Sequence, residues 1–186
     1  MRAREGVLTP VLTFGRPALG ATVDEHDLAF HLARQLADLR TDRIARLLCP
    51  RAGELAQILE LASAPTDSAR HASRWMTSSL HPVELDQALA IGARLRERGV
   101  QPLAAAVSWL AATERAADRI GLVVVGDLTT CVRIVHREAG DDSRVAALVS
   151  ASVTEEVLAV RGRLEGWASE LSTRRKTTSF ARVDRM

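Results

Sequence analysis

The stretch "ATERAADRIGLVVVGDL", Ala112 to Leu128, admits two readings that lead to different proteins. By itself "IGLVVVGD" looks like a buried parallel strand entering a Gly-Asp loop, as in nucleotide-binding α/β folds. Taken with the residues before it, the same stretch is the end of a long helix. Leu110, Glu114, Ala117, Gly121, Val124 and Leu128 fall on one stripe at alternating spacings of three and four, and that period runs straight through the supposed strand. Trp109, Ala116, Ile120 and Val123 widen the face. The triplet Val123-Val124-Val125 has poor helix propensity, by about 0.5 kcal/mol per residue. Burying each valine returns on the order of 1.5 kcal/mol or more, which outweighs it. Gly126 then ends the helix and Asp127 caps the next one. A phosphate loop needs GxGxxG or GxxxxGK[ST], and neither occurs. The stretch is read as helix.

That reading leaves a carboxylate, Glu114, on a stripe that is otherwise apolar. A buried acid without a partner is heavily penalised or forced neutral, so Glu114 requires a metal, a cation or an exit to water.

Working outward, the pattern elsewhere is also helical. "DEHDLAFHLARQLADLR", Asp24 to Arg40, has acids in its first turn and Arg40 at its end, with Leu28, Leu32, Gln35, Leu36 and Leu39 as the expected inner stripe. Shorter helices follow at "ELAQILELAS", "TDSARHASRWMTSSL" and "PVELDQALAIGARLRERG", the last with Pro82 near its start and Gly99 as its stop. Pro102 opens the long helix of the quoted stretch. "LTTCVRIVHREAG" comes next, and a late helix begins where Ser152 and Glu155 match a capping box. Only "GVLTPVLTFG", Gly6 to Gly15, reads as extended, with Pro10 restricting it to an edge or a bend. The fold class expected is therefore mainly α, with a short N-terminal strand or hairpin. One helical domain is expected over residues 1–172, and the basic run "TRRKTTSFARVDRM" over 173–186 is expected to be a disordered tail.

The totals set outer bounds. The chain has 186 residues, enough for one real core, and 47% hydrophobic with 26% charged residues is an ordinary globular balance. Aromatics are 3% and tyrosine is missing, so the core must be built from Leu, Val, Ala and Ile. A net charge of +2 is too small to imply nucleic acid or an anionic membrane. Cys49 and Cys131 lack CxxC partners and are expected to be buried apolar thiols in a reducing compartment, with a single disulfide as the alternative. No signal-peptide h-region follows "MRAREG", and no apolar run approaches the ~20 residues that span a bilayer, so a cytoplasmic location is expected.

"ERAADRIGL" resembles the E-x-x-A-D-R-x-G-L segment of zinc endopeptidases of the CAAX-prenyl-protease and heat-shock-protease type. The resemblance implies that Glu114 stands where those enzymes have their third zinc ligand and Asp118 where they have a supporting acid. "PVLTFGRPALGATVDEHDLAFHLARQLADL" is similar to their segment leading into HExxH. In that register Arg34, Gln35, Leu36, Ala37 and Asp38 occupy the HExxH positions, so both histidines and the catalytic glutamate are replaced. Zinc of this class is held by imidazole nitrogens at i and i+4, with the glutamate between them as base. Arginine has no lone pair to offer, and glutamine accepts no proton usefully.

"DLAFHLARQLADLR", "AADRIGLVVVGDL" and "SVTEEVLAVRGRL" resemble, in order, stretches of a domain that follows tetratricopeptide arrays in large bacterial proteins, where HExxH is likewise usually lost. This resemblance covers roughly Gly6 to Leu164, with 52–101 loosely matched. It implies a zincin-like pseudo-peptidase core without catalytic residues, metal or cofactor, acting through a protein partner within a larger assembly. Arg34 is then expected to take the place of zinc as the cation facing Glu114, with Asp38 on the same face as Arg34.

Two other functions compete. A metallopeptidase with a rearranged site would draw on His31, Asp38 and Glu114. Weak nucleic-acid binding would use the basic tail, although one phenylalanine there is no stacking platform for bases. His26 and His31 are spaced i, i+5, off the two-histidine clamp. They are expected at the surface or boundary, as are His71, His81 and His136. No G-x-S-x-G elbow is present.

Overall fold

The quoted stretch is helix. The computed structural model describes residues 2–4, 7–9, 24–63, 81–139 and 142–183, and among them every element but one hairpin is α-helical. The hairpin pairs β1 (Arg2–Arg4) with β2 (Val7–Thr9) antiparallel, in the register Arg2 to Thr9 and Arg4 to Val7. The helices are α1 (Glu25–Ala37), α2 (Ile44–Leu48), α3 (Ala52–Ser63), α4 (Pro82–Glu97), α5 (Pro102–Val125), α6 (Leu128–Ala139), α7 (Asp142–Ser152) and α8 (Glu155–Val183). No helix among the described residues is long and apolar enough to cross a membrane. The helix expected at "TDSARHASRWMTSSL", and with it His71 and Trp75, lies outside the described residues, as does most of the expected strand beyond Thr9.

The end of α5 follows the glycine argument. Gly126 has φ 74°, a left-handed conformation that β-carbons resist, and its N–H reaches Leu122 O at 2.7 Å. Asp127 then caps α6, accepting from Thr129 N at 3.0 Å and from the Thr130 hydroxyl at 2.6 Å. The Thr130 hydroxyl is the main reason its carboxyl sits below the usual carboxylate range. Other ends match their signals too. Asp24 caps α1, accepting from His26 N at 2.8 Å, and Gly99 with φ 65° stops the chain after α4.

One cap differs. Ser152 does not begin the late helix; it closes α7, its hydroxyl donating to Val149 O at 2.7 Å. α8 starts instead from Thr154, whose carbonyl accepts from Leu158 N at 3.1 Å. S-x-x-E spacing cannot distinguish a helix start from a two-residue break between helices. α8 extends to Val183.

By its internal contacts the chain divides into two compact units, Met1–Leu39 with Arg115–Met186, and Arg40–Glu114. In the first, Phe30, Leu122, Cys131, Ile134, Val135 and Leu148 form the buried cluster, with Val125, Leu128 and Val157 against it. In the second, α3 packs on α4 at Gly92. A β-carbon there would lie 1.9 Å from Ala62 O, a rigid backbone atom. Arg96 Nη1 donates to the next carbonyl, Ser63 O, at 2.7 Å and so caps the end of α3.

Gly92→Ala is expected to cost about 1–3 kcal/mol or more, because two helix backbones must separate to admit one methyl. Gly53→Ala, with nothing within 4 Å of its β-carbon position, is the control and should be neutral or slightly stabilising. Urea unfolding of both variants checks it; equal midpoints would refute the close contact.

Candidate functional site

The stripe that α5 buries is turned slightly from the expected one. Ala117, Asp118, Gly121 and Leu122 are buried, while Val124 is exposed. The buried acid is consequently Asp118, only 1% exposed, and not Glu114. α1 departs further and buries nearly the opposite face from the expected stripe. It buries Phe30, Ala33 and Ala37, whereas Leu36 and Gln35 of the expected leucine stripe face solvent. Alanines let α1 come close to its neighbours, and Phe30 fills the space they leave. Gly121 allows this, since a β-carbon there would stand 2.5 Å from the Phe30 ring.

Four helices of the first unit then meet around Asp118. Arg144, on α7, grips it with two N–H groups on one edge of its guanidinium, Nε to Oδ2 at 3.0 Å and Nη2 to Oδ1 at 2.9 Å. This fork matches the carboxylate plane and is the strongest geometry available to such a pair. Arg34, on α1, brings its Nε to 3.0 Å from Oδ1 of the same carboxylate. That N–H is not aimed at the oxygen, so the Nε counts as unsatisfied although its charge is compensated. The contact is coulombic, and the directed bond of Arg34 goes from Nη1 to Glu138 Oε2 on α6. The Arg34 guanidinium also lies over the Phe30 ring, 5.5 Å from its centroid. His31 Nδ1 stands 3.4 Å from the other Glu138 oxygen.

Two arginines and two acids make the cluster neutral with His31 uncharged. Asp118 has its oxygens occupied, and guanidinium neither donates a lone pair nor gives up its proton at any ordinary pH. The arrangement binds helices together. Asp118, with both oxygens held by Arg144, is not free to act as a base or a ligand.

Within its own unit, each of the two residues expected to pair has a partner. Arg34 takes Asp118, one turn further along α5, while Glu114, in the second unit, accepts from Arg46 Nη2 at 3.1 Å. Of the five positions equated with a zinc site, the structure brings Arg34 and Asp118 together. Asp38 is buried one turn after Arg34, with its N–H 3.3 Å from Arg34 O. Gln35 is exposed. Of the residues considered for a rearranged metal site, His31 turns to Glu138. Among the described residues no three His, Cys, Asp or Glu side chains gather as a metal would need. His26 and His136 are exposed, and His81 precedes α4 with its N–H donating to Glu84 at 3.0 Å.

Arg144 was missed in the sequence because it follows a polar break. A signal existed: Arg144, Leu148 and Ala151 are spaced i, i+4, i+7, and the last two are buried. Arg133 is a more peripheral case, joining α6 to Asp27 of α1 through Nη1 at 3.3 Å and through Nη2. Both cysteines are free thiols. Cys131 is fully buried, and burial above all, with Asp127 and Asp118 adding to it, pushes its thiol up to about 12, so it stays protonated and unreactive. Cys49 is half-buried rather than buried as expected.

A second feature of the first unit is a half-open cleft of about 230 Å³ walled by Leu122, Leu128, Val157 and Leu158. Arg161 closes one side of it, its Nη1 donating to Gly126 O.

Scans against models of known protein families, curated proteins and solved structures each return no match for this chain.

Proposed function

We propose that the chain is a non-catalytic, metallopeptidase-like domain that works through protein–protein interaction or scaffolding within a larger bacterial assembly, in the cytoplasm. The observation that supports this most is the pairing of Arg34 with Asp118. The resemblance puts Arg34 at the first zinc-binding histidine and Asp118 at a supporting acid. A fixed positive charge at that place repels a divalent cation and already supplies the counter-charge that the buried acid requires. Arg144 completes the compensation from a helix outside the resembling motifs. What remains for function is surface, and binding to a protein partner uses surface without chemistry.

The rival is a metallopeptidase with a rebuilt site. Metal analysis of protein purified without chelator, followed by a protease assay, separates the two. Zinc far below one per chain and no chelator-sensitive cleavage are expected. Stoichiometric zinc with chelator-sensitive cleavage overturns the proposal.

A further inference from the structure

On α8, Val157, Val160, Leu164 and Trp167 succeed one another at alternating spacings of three and four, and the sequence continues that pattern at Leu171. This is the spacing of a helix seam that packs against another helix. Val157 uses it to pack on the core of its own unit. From Gly162 to Glu170, however, every residue of α8 is exposed, and Trp167 is 61% exposed. The seam thus outruns the body that it serves. Large apolar side chains held in water at seam spacing call for a partner helix.

The flanking charges identify that partner. Arg163 and Glu170 stand beside the seam on the same edge, seven residues apart, or about 10.5 Å along the axis. Both are exposed, and among the described residues neither takes part in an ion pair within the chain.

We propose that this face of α8 pairs with the same face of a second copy of the chain, the two helices running antiparallel. In the register that sets Leu164 of one copy on Trp167 of the other, Arg163 comes opposite Glu170, and the two-fold axis repeats the pair. Each bulky indole then meets a leucine. A parallel pairing stacks Trp167 on Trp167 instead and sets Arg163 beside Ala168, which gives it no acid. The core is short, centred on Leu164 and Trp167 of each copy, so the dimer is of micromolar class or weaker. This inference is independent of the proposed function, since a catalytic chain would pair in the same way.

Sedimentation equilibrium of the full chain from about 1 μM to about 1 mM tests it. A monomer–dimer equilibrium is expected. Arg163→Glu, which sets like charges opposite each other twice, should weaken dimerisation by ~10-fold or more. Adding Glu170→Arg to the same chain should restore it. Unchanged circular dichroism shows that these exposed substitutions leave the fold intact. A monomer throughout overturns the proposal, as does indifference to Arg163→Glu, or failure of the double exchange to rescue.

Discussion

Asp118→Asn is expected to destabilise the first unit by about 3–5 kcal/mol, the cost of leaving buried charge uncompensated. Asp118 holds Arg144 through both of its oxygens and shares Arg34 with Glu138. Without it two guanidiniums, each little exposed, face each other across a neutral amide. The loss should be much smaller when both partners go together, as in Asp118→Leu with Arg144→Leu. The double exchange removes both charges together, and buried ion pairs exchanged whole for apolar residues are often neutral in cost. Chemical unfolding of the two single variants and the double gives the coupling. A double variant that loses the sum of the single losses would show that Asp118 and Arg144 do not act as a pair.

Phe30→Ala should cost a comparable 3–5 kcal/mol. The ring is fully buried, meets the His31 ring edge-on with centroids 6.1 Å apart, and carries the Arg34 guanidinium on its face. Its removal opens a cavity at the centre of the cluster and takes away the surface that orients Arg34. A second substitution makes the test sharper. Gly121→Ala in the native chain drives a methyl to 2.5 Å from the ring and should be destabilising by about 1–3 kcal/mol. In the Phe30→Ala background the same methyl enters the vacated space and should recover part of the loss. If Gly121→Ala has the same sign in both backgrounds, the glycine is not there to admit the ring.

Much of the local structure was legible in the sequence because it is decided locally. The valine triplet is helical since a three-four apolar period outweighs a propensity deficit of tenths of a kcal/mol. Gly126 and Asp127 end one helix and begin another through their own backbone and side-chain geometry, as do Asp24 and Gly99. The cap that failed, Ser152, failed because the same four-residue spacing fits the end of one helix and the start of the next.

The site was legible only in its components. Arg34, Asp38, Glu114 and Asp118 were singled out, but the acid that Arg34 takes was not foreseen. On α5, Glu114 and Asp118 are one turn apart, and apolar residues adjoin both. The two acids therefore lie on nearly the same face, and the apolar period alone does not say which of them an arginine from another helix reaches. On α1, the leucines suggested the inner face, yet small residues and Phe30 were buried because close helix approach rewards alanine over bulk. Exposed leucines such as Leu36 are common enough to carry no contrary signal.

The sequence by itself thus determined where helices begin and end and that the chain is mainly helical, since capping, glycine geometry and apolar period act within a few residues. Only the tertiary structure decided which acid each arginine holds and that Arg144 belongs to the cluster. Those choices depend on how four helices are rotated against each other, and that rotation is set by glycine, alanine and phenylalanine packing between segments distant in the chain.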